Sequence, residues 1–224
     1  MKIQTALVGA FAVLAFAGCN KDNTDPVSKA VNHIGGEADK ANQEAELRAH
    51  KYVSKCSTEN LALSIVGVKS QNVVYDFQNG DAGKTIQFFS VDNCDQSKLI
   101  GQATYSGTQG IGGDAADGAR TLDLNYTKVV VTISSADLVS GLNSAVGQVQ
   151  DCGINDWAVG AGRDVTAVAG SGSCMAVPKA TEVFDIVQTD GQTTFFGLKD
   201  AAHNAETQPA RPIKLDKANG YSKM

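Results

Sequence analysis

The chain has 224 residues, with 19 Lys and Arg against 24 Asp and Glu, and a formal charge of −5. This acidic balance argues against nucleic acid as a partner, because phosphate binding requires concentrated Lys and Arg. Aromatic residues make up 6% of the chain and glycines number 23, so we expect strands joined by tight turns rather than a helical bundle.

Residues 1–18 have the organisation of an export signal. Lys2 precedes an uncharged apolar run over residues 6–16. This run is shorter than the roughly 20 residues that a membrane-spanning helix needs. It is typical of the apolar centre of a signal peptide.

The end of this signal leads directly into a cysteine. The tetrapeptide Phe16-Ala17-Gly18-Cys19 resembles the lipobox of bacterial lipoproteins. The resemblance implies that residues 1–18 are removed and that Cys19 is acylated and anchors the chain in membrane lipid. Two or more acyl chains suffice for stable anchoring. Asn20, where that family often has Asp for retention in the inner membrane, implies the outer membrane.

Residues 19–50 are predominantly polar, and Gly35-Gly36 interrupts a short apolar helical face. We predict a lipidated tether with weakly helical pieces here. It would hold a folded domain, residues 51–224, away from the membrane surface.

Strand patterns begin near residue 51 and are punctuated by Gly, Asn and Asp. Val73, Tyr75 and Phe77 alternate with polar residues before the turn signal Asn79-Gly80. A second strand is predicted over residues 98–108, followed by a glycine-rich loop over 107–118.

Two strands change the phase of their alternation. Ile86 and Phe88 are apolar on one phase, and Phe89 then follows on the other. The same shift separates Tyr126 from Val129. We predict a β-bulge at each position, because one extra residue moves the apolar side chains to the opposite phase and bends the strand.

One helix is predicted, over residues 135–149. Its apolar stripe must be buried against the strands to be stable, so the helix should pack on them or cover one end. The hairpin that follows comprises residues 182–188 and 193–198, joined by Asp190-Gly191. The helical stripe consists of Leu138, Leu142, Val146 and Val149.

Several segments of the second half together resemble small bacterial lipoproteins with lipocalin-like domains. The resemblance implies a mainly β fold, an antiparallel barrel with one strapping α-helix, enclosing a ligand cavity. Trp157, Phe195 and Phe196 are the aromatic residues that would line it. The segments that carry the resemblance are Cys152-Gly153 with Trp157, Phe195-Phe196-Gly197, Arg211-Pro212 and Tyr221.

Four cysteines remain once Cys19 is assigned to lipid. An even number in an exported chain indicates two disulfides, and four cysteines permit three pairings. We predict Cys56 with Cys94 and Cys152 with Cys174, because each bond then closes a local loop. Their spacings are too wide for CxxC metal or redox motifs.

The sequence carries no recognisable motif for catalysis or metal binding. His33, His50 and His203 are separated by long polar stretches, and no Gly-x-Ser-x-Gly elbow or P-loop occurs. The spacing of Asp114, Asp117 and Asp123 does not match a calcium loop. We therefore expect a protein that is not an enzyme, with no cofactor and no metal.

Two classes of function remain. The first is a membrane-anchored binding module whose barrel holds a small apolar or amphipathic ligand. The second is a structural or interaction lipoprotein, such as a hydrolase inhibitor or an adhesin, with a filled core and an envelope protein as partner. An internal cavity would separate the two.

Overall fold

The alternating apolar residues form nine β-strands in the part of the chain that the computed structural model describes, residues 41–59, 67–144, 151–172, 174–175 and 177–224. Two α-helices accompany them there, α1 over residues 41–49 and α2 over Ala136–Ser144. The strands are β1 Lys51–Val53, β2 Ser70–Asp76, β3 Asp81–Phe89, β4 Leu99–Asp114, β5 Arg120–Ile133, β6 Gly162–Asp164, β7 Glu182–Thr189, β8 Thr193–Phe196 and β9 Tyr221–Lys223.

Eight of these strands close into an antiparallel barrel. Going round the barrel, their order is β1, β2, β3, β4, β5, β7, β8, β9 and back to β1. The first and last strands close it through the pairs Tyr52 with Lys223 and Val53 with Ser222. The antiparallel barrel predicted from the sequence is confirmed.

Strand β5 is long enough to have two successive neighbours on one edge. Its first half, Arg120 to Asn125, pairs with β7. Its second half, Val130 to Thr132, pairs with β6. Strand β6 therefore extends the sheet beyond the end of β7 and takes no part in closing the barrel.

The register shifts at both predicted positions, but only the shift on β5 has its extra residue in the strand where the bulge was predicted. The register of β3 against β4 shifts between Phe88 and Phe89. On β5, Thr127 is the extra residue, because Ser106 pairs with Lys128 while the next residue of β4 pairs with Tyr126. The bulge on β5 moves the following apolar residues to the other phase, as the sequence pattern required. At the β3–β4 shift the extra residue is Ile100 of β4, so the predicted bulge in β3 itself is wrong.

The loop predicted over residues 107–118 is wrong, because β4 continues through the glycines to Asp114 and pairs with β5. Glycine is required for this close approach at one position. A Cβ on Gly107 would lie 1.8 Å from the carbonyl oxygen of Asn125. Because Gly107 has no side chain, β4 can approach β5 closely at this position, where the sequence predicted a flexible loop.

Helix α1 lies against one end of the barrel. Leu47 is 1% exposed and belongs to the main apolar core. The Glu46 carbonyl accepts a hydrogen bond from Tyr52 Oη at 2.8 Å, and its carboxylate pairs with Lys223 Nζ at 2.8 Å. Residues 41–49 of the predicted tether are thus part of the folded unit, while residues 19–40 lie outside the described residues.

The opposite end is covered by described residues of the 134–181 connection. Leu142 of α2 and Met175 are buried in the same apolar core as the barrel strands. Tyr105 Oη on β4 donates to the Pro178 carbonyl at 2.8 Å, which attaches the connection to the barrel interior. The helix prediction is confirmed for the described part of 135–149.

Within that helix, Leu138 and Leu142 are buried, as the apolar stripe predicted. Val146 and Val149, the other two residues of the stripe, lie outside the described residues.

Both predicted disulfides are confirmed. Cys56–Cys94 joins the chain after β1 to the chain between β3 and β4. Cys152–Cys174 joins two points of the connection between β5 and β7. Each disulfide thus fixes a connecting segment between strands, which the hydrogen bonds of the barrel strands do not stabilise.

The close approach at Gly107 leads to a prediction with a matched control on the same strand. Gly107→Ala should lower the free energy of unfolding by about 3 kcal/mol or more, because its methyl group overlaps a backbone oxygen that cannot move without shifting β5. Gly110→Ala places its methyl 4.0 Å from the nearest atom, Asp123 Cβ. It should leave stability unchanged or raise it by up to about 1 kcal/mol. Urea unfolding followed by circular dichroism measures both, and equal effects would contradict the close approach.

Candidate functional site

Each of the eight barrel strands contributes at least one aromatic or charged side chain to the interior, and one such residue from each strand gives a group of eight. Directly paired residues on neighbouring strands face the same side of a sheet. Tyr75 pairs with Tyr52 and with Lys84, and Lys84 pairs in turn with Tyr105, so these four share the interior face. We call the eight the interior set: Tyr52, Tyr75, Lys84, Tyr105, Tyr126, Asp185, Phe196 and Tyr221.

A cavity of about 280 Å³ opens beside this set, where β8 ends and β9 begins. Its walls combine aromatic rings with charged and amide groups. The lining residues are Tyr75, Asp185, Phe196, Gly197, Leu198, Lys199, Asp216, Asn219 and Tyr221.

Three rings pack together at the inner wall of this cavity. The centroids of Tyr75 and Phe196 lie 4.6 Å apart, and that of Tyr221 lies 5.4 Å from the first and 5.0 Å from the second. Tilted and edge-on contacts at these distances are favourable for aromatic pairs. The rings hold one another in place and give the cavity a rigid apolar wall.

The segment after β8 forms the outer wall and is attached by Arg211. The Arg211 guanidinium donates to the carbonyl oxygens of Leu122 and Asp185, at 3.2 Å and 2.5 Å, and pairs with the Asp123 carboxylate at 2.5 Å. It also lies 5.7 Å from the centre of the Phe184 ring. One arginine therefore fixes this segment to both β5 and β7.

Asp185 is a carboxylate inside the barrel, with 4% of its surface exposed. Its Oδ1 accepts hydrogen bonds from the N–H groups of Ile186 at 2.8 Å and Gly197 at 2.9 Å, while Oδ2 lies 3.6 Å from Lys199 Nζ. Burial raises the pKa of Asp185, and these three donors oppose the rise. Asp185 and Lys199 both line the cavity, so the ion pair through Oδ2 lies at the cavity wall.

Tyrosine hydroxyls surround this carboxylate. Burial raises the pKa of Tyr75 strongly, and the nearby Tyr126 and Tyr221 add to the effect. Burial likewise raises the pKa of Tyr221 to about 12. Tyr126 Oη is buried and has no hydrogen-bond partner among the described residues. A buried hydroxyl without a partner lowers the stability of the fold.

Lys84 adds a positive charge to the interior. Its Nζ lies 5.3 Å from the centre of the Tyr105 ring, and no carboxylate among the described residues forms an ion pair with it. Burial, together with the positive charge of Lys199, lowers the pKa of Lys84 to about 8.

The structure separates the three aromatic residues that the sequence proposed as ligand-lining. Phe196 lines the cavity. Phe195 points to the other face of β8 and packs against a small outer cluster with Ile186 and Leu215. Trp157 is 3% exposed within the main core, and its Nε1 donates to the Asp151 carbonyl at 3.3 Å. Phe196 alone of the three therefore lines this cavity.

Cys19, the predicted site of lipid attachment, lies outside the described residues. In the described part of the chain, no helix combines the length and apolar character needed to cross a membrane.

The described histidines lie apart from the cavity lining. His50 Nε2 is 3.5 Å from Glu46, and His203 Nδ1 is 3.1 Å from Asp200. No group of three His, Cys, Asp or Glu side chains suited to hold a metal occurs among the described residues.

Lys84 and Asp185 were not predicted as site residues, although the sequence carries a signal for both. Lys84 is in phase with Ile86 and Phe88, and Asp185 is in phase with Val183 and Val187. A charged residue on the apolar phase of a strand is an interior charge. Such residues are rare in protein cores and are the first candidates for function.

The chain matches no protein-family model, and no curated protein shows significant similarity to it. The functional assignment therefore depends on the geometry of the barrel interior.

The lowered pKa of Lys84 predicts a pH-dependent effect on stability. In the unfolded chain a lysine titrates near 10.4, so the folded state penalises the ammonium form. This penalty is complete below the folded pKa of about 8 and disappears as the pH rises through the unfolded value. Lys84→Met should therefore raise the free energy of unfolding at pH 7 by about 1 to 3 kcal/mol, with little gain left near pH 10.5.

Urea unfolding of the wild type and the variant at the two pH values measures this difference. Lys98→Met, at an exposed position between β3 and β4, is the matched control. Its effect on the free energy of unfolding should be the same at both pH values. A gain for Lys84→Met that is the same at pH 7 and pH 10.5 would show that lost charge is not its cause.

Proposed function

We propose that the protein is a membrane-anchored envelope lipoprotein whose barrel binds a small amphipathic ligand. The cavity of about 280 Å³, which aromatic rings and the buried carboxylate of Asp185 line together, is the observation that carries the proposal. A barrel that served as scaffold alone would gain stability from a filled apolar interior. This interior keeps space and polar groups at some cost to stability.

The chemistry of the walls limits what can bind. Ligand pockets commonly have volumes of roughly 300 to 1,000 Å³, so this cavity suits a ligand at the small end of that range. The rings of Tyr75, Phe196 and Tyr221 offer an apolar surface. Asp185 accepts hydrogen bonds, while the tyrosine hydroxyls and Lys199 donate them. A small molecule with an apolar body and one or two polar groups matches this arrangement.

The two disulfides support the proposed compartment. Disulfides persist in oxidising environments such as the periplasm and the cell surface. Cys56–Cys94 and Cys152–Cys174 are therefore compatible with export, which the lipobox at Phe16-Ala17-Gly18-Cys19 also implies. Anchoring to the outer membrane through acylated Cys19 is part of the proposal.

Native mass spectrometry of the full-length protein, purified from its host in mild detergent, tests the binding. A small molecule retained by the wild type is the expected result. Leu198→Trp places a larger side chain at the lining and should abolish that retention. Ile213→Trp is the matched control, because Ile213 is similarly exposed but is not a lining residue, and it should retain the molecule.

The alternative is the interaction lipoprotein with a filled core. Elements cover both ends of the barrel, and the buried apolar side chains form one main core cluster, which favours this class. A wild-type protein without any retained molecule would support it. Retention that persists in Leu198→Trp would place the ligand elsewhere and would equally contradict the proposed cavity.

The anchor has its own test. Cys19→Ala should release the protein from membranes, because the acyl chains are the proposed attachment. Fractionation with an alkaline carbonate wash measures this, and the same washes of wild-type membranes provide the comparison. Association of Cys19→Ala that withstands carbonate would rule out acylation as the anchor.

A further inference from the structure

The cavity where β8 ends and β9 begins has more negative than positive groups on its walls. Asp185 and Asp216 are the carboxylates among the described residues that line it, and Lys199 is the cation among them. Two backbone N–H groups and Lys199 stabilise the charged form of Asp185 inside the barrel. Two carboxylates thus oppose one ammonium group, which favours a cationic ligand over an anionic one.

The two oxygens of the Asp185 carboxylate are held differently. Oδ1 accepts the Ile186 N–H at 2.8 Å and the Gly197 N–H at 2.9 Å, so the strands themselves orient the group. Oδ2 lies 3.6 Å from Lys199 Nζ. A direct hydrogen bond from an ammonium to a carboxylate is shorter, about 2.7 to 2.9 Å. Oδ2 can therefore accept a closer donor than Lys199.

Lys199 is a weakly held partner for this carboxylate. Half of its side chain, 50%, is exposed to solvent. An exposed ammonium group on a flexible four-carbon stem keeps much of its hydration, and pairs of this kind contribute little to stability. A ligand that carries its own ammonium group can therefore displace Lys199 from Asp185 at small cost, while the lysine moves into solvent.

The aromatic wall of the cavity begins beside the same carboxylate. Gly197, which donates to Asp185, directly follows Phe196, and the Phe196 ring packs against Tyr75 and Tyr221. Aromatic faces attract ammonium groups within about 6 Å of the ring centre, and they also cover the apolar part of a ligand. A carboxylate next to three rings is therefore complementary to a molecule with an ammonium group on an apolar body.

We propose that the cavity is a binding site for organic amines. The ammonium group of the ligand replaces Lys199 on Asp185 Oδ2, and the apolar body of the ligand lies against the three rings of the wall. This inference rests on the proposed ligand cavity and specifies the chemical class that the cavity accepts.

Calorimetric titration with three probes of one phenylethyl skeleton tests the proposal. At pH 7, 2-phenylethylamine carries an ammonium group, 2-phenylethanol a neutral hydroxyl and 3-phenylpropanoate a carboxylate. Each is titrated into the full-length protein in mild detergent, and its titration into detergent alone is subtracted. We expect the amine to bind at least about tenfold more tightly than the alcohol, because the amine alone gives Asp185 a charged donor. An amine that does not bind, or that binds no more tightly than the alcohol or the carboxylate, would overturn the proposal.

Two variants test the assigned partners in opposite directions. Asp185→Asn keeps an acceptor for the two N–H groups but loses the charge, so it should remove most of the preference for the amine. Lys199→Met removes the competing ammonium group and should tighten amine binding by about twofold to fivefold. Lys214→Met is the matched control and should leave the amine affinity unchanged, because Lys214 is exposed on the neighbouring segment and is not a lining residue.

The direction of the Lys199→Met effect is decisive even if Asp185→Asn does not fold, because Lys199 is half exposed and its loss disturbs little of the interior. If Lys199 were instead the anchor of an anionic ligand, the variant would lose affinity for 3-phenylpropanoate and gain none for the amine. That result would contradict the proposal, as would a full preference for the amine in a folded Asp185→Asn.

The amine assignment and the proposed ligand cavity fail separately. A retained host molecule without a basic nitrogen, lost in Leu198→Trp, would support the cavity and overturn the amine assignment. Amine binding that depends on Asp185, in a protein that retains nothing from its host, would support the amine site and contradict the retention expected above.

Discussion

The pairing of the first strand with the last determines the environment of every interior residue. Strands β1 and β9 meet through two residue pairs, and the Met224 N–H adds a hydrogen bond to the Lys51 carbonyl at 2.9 Å. This short contact closes the barrel and removes the free edges. Without it, water would reach Asp185 and Lys84, and their altered pKa values would return towards ordinary ones. The candidate site is therefore a consequence of closure.

The interior is polar beyond what packing requires. Burial of Asp185 is partly compensated by two backbone N–H groups and Lys199, but Lys84 and the Tyr126 hydroxyl have no such compensation among the described residues. Uncompensated buried polar groups lower stability, and functional sites are where proteins accept this cost. The two disulfides fix the connecting segments between strands, and they stabilise the fold against this loss of stability.

The aromatic and the charged groups of the interior have different parts in the candidate site. The aromatic wall of Tyr75, Phe196 and Tyr221 provides shape, which rigid packed rings maintain. The charged groups provide selectivity, because a ligand that satisfies them gains more than one that leaves them unpaired.

Local patterns in the sequence were sufficient for most of the barrel strands, the bulge on β5, the final hairpin and the disulfide pairing. Alternation with a period of two indicates which residues share a face, and the phase change before Val129 indicates where β5 bulges. The pattern failed at Gly107, since glycines permit both a loop and a close strand contact. The tertiary structure alone decided which face became the interior, and it brought Tyr75, Lys84 and Asp185 together from strands far apart in the chain. Their convergence depends on closure and register around the whole barrel, which no local stretch of sequence encodes.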